Sequence, residues 1–330
     1  MPSPPVAPLS RPSLRDRLGT WLNGGAQTAA GQPTQRALPQ IEDFDLAQVV
    51  ARHERSTVYR AIDRSTGQIV ALKTVQLGDS DPASRQVWKE RFLREAEAAG
   101  RLRHPDIVSL LAGGVQGTDE SFVGWLAMEW VPGTDLARYT APSRLLPEAL
   151  VLTLAARIAL ALAHAHQAGV MHRDVKPGNL LFDAAHGVVK VTDFGSARLT
   201  DALVTRSGMI VGTPAYMAPE QLAGAEATPQ SDLYSLGVEL FELIAGRRPF
   251  HASSMGELLG RIAHAPVPPL APDRPGLPEL VDDILRKLLD KAPERRHADG
   301  RQLALELRMA IAHYPPPAPP RPAQESGAQS

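Results

Sequence analysis

Three short segments of the chain contain side chains that could take part in chemistry. The first, residues 172–179, reads His-Arg-Asp-Val-Lys-Pro-Gly-Asn, and the second, residues 193–195, reads Asp-Phe-Gly. The third, residues 218–220, reads Ala-Pro-Glu, and far upstream an Ala-Leu-Lys stretch ends at Lys73. Carboxylate and amide oxygens suit a hard cation such as Mg²⁺, whereas lysine attracts anions. These residue types favour the handling of a metal-bound anion, provided that the fold brings the segments together.

The order and spacing of the three segments resemble those of the protein kinases. Lys176, two residues after the aspartate of the first segment, and the stretch Gly-Thr-Pro-Ala-Tyr at residues 212–216 are similar to the serine/threonine branch. The resemblance covers about residues 44–312 and is greatest to the bacterial Hanks-type, or eukaryotic-like, serine/threonine protein kinases. It implies a non-specific protein serine/threonine kinase that uses ATP and Mg²⁺ and phosphorylates its own activation segment.

The resemblance assigns catalytic roles to four side chains. Asp174 matches the residue that accepts the proton of the substrate hydroxyl, and Lys176 would place positive charge beside the transferring phosphoryl group. Lys73 matches the strand residue that pairs with the α- and β-phosphates. Glu95 matches the helix residue that holds this lysine, and the nearby Glu97 is the alternative partner.

Nucleotide and metal contacts are implied by the same resemblance. Asn179 and Asp193 would bind Mg²⁺, with Mn²⁺ as the alternative ion. The hinge between the lobes would run through Met-Glu-Trp-Val, with Met128 behind the adenine. The implied nucleotide-contacting residues are Val50, Val58, Ala71, Lys73, Met128, Glu129, Val131, Asn179, Leu181 and Asp193.

The loop that would cover the phosphates contains no glycine. Related kinases read Gly-x-Gly-x-x-Gly-x-Val there, and this chain places Ala51, His53 and Ser56 at the glycine positions. Glycine permits positive φ and a close approach to phosphate, so we expect strain or a poorer main-chain cradle here. Arg52, His53 and Arg55 bring basic side chains instead. One or more of them contacts the phosphates, or all of them point into solvent above an open loop.

The missing glycines raise an alternative function, a pseudokinase-like nucleotide sensor or scaffold. Lys73, Asp174, Asn179 and Asp193 are all retained, and the loop supplies neither a proton acceptor nor a metal ligand, which favours active catalysis. A small-molecule kinase is disfavoured because the Ala-Pro-Glu segment and its arginine partner are both present.

Regulation by phosphorylation is a further implication of the resemblance. Arg173 precedes the catalytic aspartate, and an arginine there pairs with a phosphate on the activation segment. Thr205 and Ser207 match the usual autophosphorylation positions, with Thr200 as a weaker candidate. Thr213 matches a threonine with a structural role. The alternative for these hydroxyls is that they are ordinary solvated loop groups.

Three bracing contacts are also expected. Glu220 and Arg296 match a buried ion pair in the helical lobe, and Asp232 matches a carboxylate that hydrogen-bonds the backbone of the catalytic loop. Losing one member of such a pair leaves a buried charge without compensation. His172 is expected to pack against Phe194.

Several elements must position these residues. Residues 44–77 alternate in the manner of antiparallel strands, and short strands return at residues 107–131. Helices are predicted at residues 83–102, 147–167, 231–245, 279–289 and 301–313. A strand-rich beginning and a helix-rich remainder predict an α+β fold of two lobes. In the protein kinase fold these are a small antiparallel β-sheet N-lobe with one helix and a larger, mainly helical C-lobe.

The sequence divides into a folded domain and two tails. Residues 1–40 are a Pro/Ala-rich tail that we expect to be disordered, and residues 314–330 are a Pro-rich tail of the same kind. The kinase domain covers residues 41–313, with the N-lobe at 41–130 and the C-lobe at 131–313. In the first tail, helical spacing predicts a short amphipathic helix through Leu14, Leu18, Trp21 and Leu22.

Composition excludes several classes of function. The 330 residues carry a formal net charge of −1, which disfavours a broad electrostatic grip on nucleic acid or anionic lipid. The absence of cysteine excludes disulfides and thiolate metal sites. The longest apolar run, residues 150–163, contains Arg157 and is too short to cross a bilayer. We therefore expect a soluble cytoplasmic protein without a membrane span, whose partners are ATP and protein substrates; a homodimer is left open.

Overall fold

The structure is a computed structural model, and it describes residues 41–53, 55–76, 82–117, 122–194, 214–270, 274 and 276–314. The first predicted tail, including its amphipathic helix, and residues 315–330 of the second tail lie outside these residues. Tyr314, which was assigned to the second tail, instead packs against the core of the folded domain, and its hydroxyl donates to Glu148 Oε2 at 3.2 Å. Elements are numbered below in chain order.

The first lobe is a five-stranded antiparallel sheet with one helix. Its elements are β1 (Phe44–Arg52), β2 (Ser56–Asp63), β3 (Ile69–Gln76), α1 (Pro82–Gly100), β4 (Leu110–Gln116) and β5 (Val123–Glu129). The strand order is β1-β2-β3-β5-β4. Strand β2 shows why these residues form a sheet: Tyr59 and Ala61 are buried on one face, and Arg60 between them faces the other way.

Helix α1 packs on the sheet through aromatic side chains. Trp88 stacks on Phe92 with ring centroids 4.9 Å apart, and both belong to a buried cluster with Val75 of β3. Gly124 of β5 makes the close approach possible, because a β-carbon there would lie 2.6 Å from the Trp88 ring. The packing fixes the height of α1 above the strand that carries Lys73.

The second lobe is mainly helical. Its elements are β6 (Thr134–Asp135), α2 (Glu148–Gln167), β7 (Leu180–Asp183), β8 (Val188–Val191), α3 (Pro219–Leu222), α4 (Pro229–Ala245), α5 (Met255–His264), α6 (Glu279–Leu288) and α7 (Gly300–Ile311). Strands β6, β7 and β8 form a small separate sheet in that order. Helix α7 lies so close to α2 that a β-carbon on Gly300 would sit 2.0 Å from the Ala159 carbonyl oxygen.

Helix α2 forms the centre of this lobe. It extends beyond the apolar run seen in the sequence and, in the described part of the chain, is the one helix whose length and hydropathy would suffice to cross a membrane. Eleven of its residues are buried, and its apolar side chains belong to the main core together with those of α4 and α7. The structure therefore uses it as a core helix.

Candidate active site

Asp232, on α4, holds the backbone of the loop that precedes Asp174. The His172 N–H donates to Asp232 Oδ2 at 2.8 Å, and the Arg173 N–H donates to Oδ1 at 2.8 Å. His166 Nε2 lies 2.7 Å from Oδ2. Burial raises the pKa of Asp232, but the hydrogen bond of His166 and its other donors more than offset this, so the pKa is lowered. The carboxylate is therefore ionised. Its two hydrogen bonds confirm the expectation that Asp232 holds the backbone of the catalytic loop.

Arg173 has a left-handed backbone, with φ of 68°. This conformation is unfavourable for a residue with a β-carbon, by about 1–2 kcal/mol. The hydrogen bond from its N–H to Asp232 stabilises the unusual turn. This turn fixes the position of the backbone from which the Asp174 side chain projects.

Asp174, Lys176 and Asn179 form one hydrogen-bonded cluster. Lys176 Nζ lies 2.7 Å from Asp174 Oδ2. Asn179 Nδ2 donates to the Asp174 carbonyl oxygen at 2.8 Å and to Oδ2 at 3.0 Å. Because the amide nitrogen is used in this way, Oδ1 is the atom that Asn179 can offer to a cation. The Asp174 side chain is 31% exposed, so it can meet a group that enters from solvent.

Asp193 and Lys73 form an ion pair between the two lobes. Lys73 Nζ lies 2.8 Å from Asp193 Oδ2, and the side chains are only 8% and 19% exposed. Burial raises the pKa of Asp193, but the charge and hydrogen bond of Lys73 more than offset it, so the pKa is lowered. Asp193 also has a left-handed backbone, with φ of 66°. The Thr192 N–H donates to the Asn179 carbonyl oxygen at 3.0 Å, which brings Asp193 beside the catalytic-loop cluster.

Glu95 lies on α1, and one of its contacts is with a residue of the same helix. Arg91 Nε donates to Glu95 Oε1 at 3.3 Å. Glu95 was expected to hold Lys73, and this role stays a prediction; within the described part of the chain, Lys73 forms an ion pair with Asp193. Glu95 also lines a cavity of about 40 Å³ behind Met128, together with Asp193.

The implied adenine-contacting residues lie around the hinge. Ala71 of β3 is paired with Met128 of β5, and Met128 is buried. Leu181, on β7, is half-buried and paired with β6 in the second lobe. Two further implied contacts are half-buried: Val58 on β2, and Val131 just after β5.

Val50 is the most exposed of the implied nucleotide contacts. It lies in a bulge of β1, between the pairs that Val49 and Ala51 make with β2. Its side chain is 50% exposed. A bulge leaves one residue without a direct cross-strand partner, which accounts for this exposure.

The side chain of Glu129 ties the hinge to the second lobe. Lys190 Nζ, on β8, lies 2.6 Å from Glu129 Oε1, and the Ser109 N–H donates to the same oxygen at 2.8 Å. The Glu129 N–H donates to the Ser109 carbonyl oxygen at 3.0 Å. Sequence analysis missed Lys190, because it lies 61 residues from Glu129 and no local pattern marks the pair.

Two expected bracing contacts are present. His172 and Phe194 have ring centroids 4.8 Å apart. Arg296 donates to both carboxylate oxygens of Glu220, at 2.7 and 2.8 Å, and its side chain is fully buried. Burial raises the pKa of Glu220, but the hydrogen bonds from Arg296 and other donors more than offset it, so the pKa is lowered.

The glycine-free turn between β1 and β2 shows no left-handed residue among those described. The His53 N–H donates to the Ser56 carbonyl oxygen at 2.8 Å, and the Gln76 N–H of β3 donates to the Arg55 carbonyl oxygen at 2.8 Å. Among the described non-glycine residues, only Arg173 and Asp193 have positive φ. Ala51, His53 and Ser56 therefore avoid the strained backbone that a glycine loop adopts, because this part of the chain forms a short hydrogen-bonded hairpin. The expectation of a poorer main-chain phosphate cradle stays a prediction.

The predicted phosphorylation sites lie outside the described residues. This applies to Thr200, Thr205 and Ser207, and also to Thr213, for which a structural role was expected. Their roles remain predictions.

Two features are those of the protein kinase fold: an ion pair that joins the two lobes, and a hydrogen-bonded loop of aspartate, lysine and asparagine. Residues 44–306 match the protein kinase domain family. The chain belongs to this family.

Sequence relatives place it near the bacterial serine/threonine kinases. Serine/threonine-protein kinase PknA of Mycobacterium tuberculosis H37Rv is 37% identical over 278 residues, which cover 84% of this chain and 63% of the relative. Serine/threonine-protein kinase PrkC of Bacillus subtilis is 34% identical over 269 residues, which cover 81% of this chain and 40% of the relative. The chain thus spans less than two thirds of the length of these relatives. The resemblance to bacterial Hanks-type kinases is confirmed.

Solved structures give the same fold. The kinase domain of Mycobacterium tuberculosis PknI has a TM-score of 0.63 at 28% identity, covering 82% of this chain and 97% of that chain. Rad53 1–466 in complex with AMP-PNP has a TM-score of 0.64 at 28% identity, covering 82% and 66% respectively. The predicted two-lobed α+β fold is confirmed.

Proposed function

We propose that this chain is an ATP- and Mg²⁺-dependent protein kinase that phosphorylates serine and threonine. The observation that carries the proposal is the 2.8 Å ion pair of Lys73 with Asp193 beside the cluster of Asp174, Lys176 and Asn179. The names of the relatives PknA and PrkC, both serine/threonine-protein kinases, support the acceptor class. The AMP-PNP bound to the structural neighbour Rad53 supports an adenine nucleotide as the donor.

Each side chain has a step that its surroundings suit. Asp174 accepts the proton of the substrate hydroxyl and orients its oxygen for attack in line with the leaving group. Lys176, 2.7 Å from Asp174 Oδ2, contributes positive charge beside the transferring phosphoryl group. Lys73 turns from Asp193 towards the α- and β-phosphates when nucleotide enters, and Glu95 is then placed to receive it.

The donor set fits magnesium. Asn179 offers Oδ1, and the lowered pKa of Asp193 keeps its carboxylate available. Two protein ligands are typical of Mg²⁺, which takes its remaining oxygens from phosphates and water. When bound, the ion would neutralise phosphate charge, and Mn²⁺ would take the same oxygens.

We propose the same regulation that the sequence implies. Thr205 or Ser207 receives a phosphate from the kinase itself, and Arg173 pairs with it. The backbone of Arg173 is fixed by Asp232, so a phosphate bound to its side chain would order the segment relative to the catalytic loop. The protein would be cytoplasmic and would act in signal transduction.

Metal-dependent incorporation of labelled phosphate tests the proposal. We expect the wild type to label itself and a general protein substrate, and Lys73→Met and Asp174→Asn to lower the rate at least a hundredfold while nucleotide still binds Asp174→Asn. Nucleotide binding without any phosphate transfer in the wild type would instead indicate a pseudokinase. Mass spectrometry that finds both Thr205 and Ser207 unmodified in an active preparation would contradict the regulatory part.

A further inference from the structure

The register of the first three strands aligns one row of side chains with Lys73. Ala51 of β1 is paired with Val58 of β2, and Val58 is paired with Lys73 of β3. Residues directly opposite each other in neighbouring strands have their side chains on the same face of a sheet. Ala51 and Val58 therefore share the face from which Lys73 reaches Asp193.

The same register separates the basic residues of the β1–β2 turn. Arg52 is paired with Thr57, one position along from the row of Lys73, so both belong to the opposite face. The hydrogen bond from the His53 N–H to the Ser56 carbonyl oxygen continues the pairing by one more residue. His53 and Ser56 therefore return to the face of Lys73.

Strand spacing puts His53 within reach of an extended anion held by Lys73. His53 lies two strands away from Lys73 and two residues further along the sheet, so the α-carbons of these two residues are about 12 Å apart. Both side chains project from that face, so a bound group with several linked anionic centres could contact both. A single anionic centre held by Lys73 would not reach His53.

His53 is available for such a contact. It is exposed, and within the described part of the chain no residue forms a hydrogen bond or ion pair with its imidazole. Its backbone N–H is already used by Ser56, so it cannot be donated to a ligand as well. The Gln76 N–H holds the neighbouring Arg55 carbonyl oxygen, which fixes the turn to β3.

We propose that the His53 imidazole contacts the distal phosphates of the bound nucleotide, whereas Arg52 does not. The inference rests on the proposed function, because it takes a nucleoside triphosphate as the ligand. An imidazole N–H beside a phosphate oxygen forms a charge-assisted hydrogen bond, and Ser56 adds a hydroxyl on the same face. Side-chain groups thus replace the main-chain amides that a glycine loop would present.

Calorimetry with ligands that differ in their phosphates tests this. The dissociation constants of Mg·ATP and of adenosine would be measured for the wild type, for His53→Ala and for the matched control Arg52→Ala. We expect His53→Ala to weaken Mg·ATP about tenfold, the loss of one charge-assisted hydrogen bond, and to leave adenosine within about twofold. Arg52→Ala should leave both ligands within about twofold.

The other outcomes are also decisive. Unchanged Mg·ATP affinity in His53→Ala, or a tenfold loss in Arg52→Ala alone, would overturn the assignment. Equal weakening of adenosine and Mg·ATP would do so too, because the contact would then not be to phosphate. Adenosine binding reports that each variant is folded, and a wild type that binds neither ligand would refute the proposed function rather than the role of His53.

Discussion

Glu129 at the end of β5 and Lys190 on β8 join the two lobes through a 2.6 Å ion pair directly behind the hinge. Both side chains are largely shielded, with 30% and 16% of their surface exposed. The same carboxylate oxygen accepts the Ser109 N–H. The hinge is therefore held by the side chain of Glu129, a residue that the sequence implied as a nucleotide contact.

Removing one partner of this pair should destabilise the protein. We expect Lys190→Met and Glu129→Gln each to lower the free energy of unfolding by about 1–2 kcal/mol, because a shielded charge loses its partner. The double variant should lose less than the sum, with a coupling energy of about 1 kcal/mol. Urea denaturation of the four proteins measures this, and strict additivity would show that the pair contributes nothing.

Arg296 should be among the most sensitive residues of the large lobe. Its side chain is fully buried against Glu220 and lies over the ring of Tyr234. Arg296→Met should lower the free energy of unfolding by about 3–5 kcal/mol, since it leaves the Glu220 carboxylate without its main partner. Arg286, which is 63% exposed, is the matched control, and Arg286→Met should change stability by less than about 0.5 kcal/mol. Similar losses in both variants on thermal and urea unfolding would contradict the argument.

Asp232 should affect turnover more than nucleotide binding. In Asp232→Asn one carboxylate oxygen becomes an NH₂ group, which cannot accept the N–H groups of both His172 and Arg173. The left-handed turn at Arg173 then loses support, and we expect kcat to fall at least tenfold with KM for ATP within about threefold. Asp283→Asn, on the exposed face of α6, is the control and should leave both constants unchanged. A rise in KM at constant kcat would place the role of Asp232 in nucleotide binding instead.

Glu239, on α4, should make stability depend on pH. Its side chain is fully buried, and no described residue forms a hydrogen bond with either carboxylate oxygen. Burial, and then the charge of Glu242, raise its pKa well above the usual value. The folded state therefore holds a proton that the unfolded state releases, so this group's contribution is complete below the ordinary glutamate pKa and is lost as pH rises towards the folded pKa.

Two substitutions separate the charge of Glu239 from its packing. Glu239→Gln should flatten the loss of stability between pH 5 and pH 8, because the amide has no proton to release. Glu239→Leu should raise the free energy of unfolding at pH 8 by about 1–3 kcal/mol, because a buried polar group is replaced by an apolar one. Denaturation curves at both pH values check this. Parallel pH profiles for the wild type and Glu239→Gln would show that Glu239 does not titrate in this range.

Local patterns in the sequence predicted the main elements closely. The helix expected at residues 147–167 is Glu148–Gln167, and the one expected at 231–245 is Pro229–Ala245. Apolar residues at helical spacing determine which face is buried, and this information is local. The start of α4 was placed two residues late. Thr228 is its N-cap residue, and the Thr228 N–H donates to the Ser231 hydroxyl at 3.0 Å, a local signal that was available but not used.

Contacts between distant segments could be predicted from the sequence only where both residues belong to a recognisable motif. The neighbouring positions of Asp174, Asn179 and Asp193 came from their motifs, whereas the Glu129–Lys190 pair had no such sign. Glu239 occupies a position that helical periodicity reserves for an apolar side chain, and only the packed structure shows that it is fully buried. The hairpin at His53 depends on a hydrogen bond to Ser56 and another from β3, which composition alone does not reveal.

The bond between Gln76 and Arg55 has a consequence for how products leave. A glycine-rich flap can lift by itself while the rest of the small lobe stays in place. Here the turn shares a hydrogen bond with β3, the strand that also carries Lys73, so the position of the turn is coupled to that of the lysine. Under the proposed function, ADP release should require the whole small lobe to swing away, and its rate should follow the stiffness of the hinge rather than that of the turn.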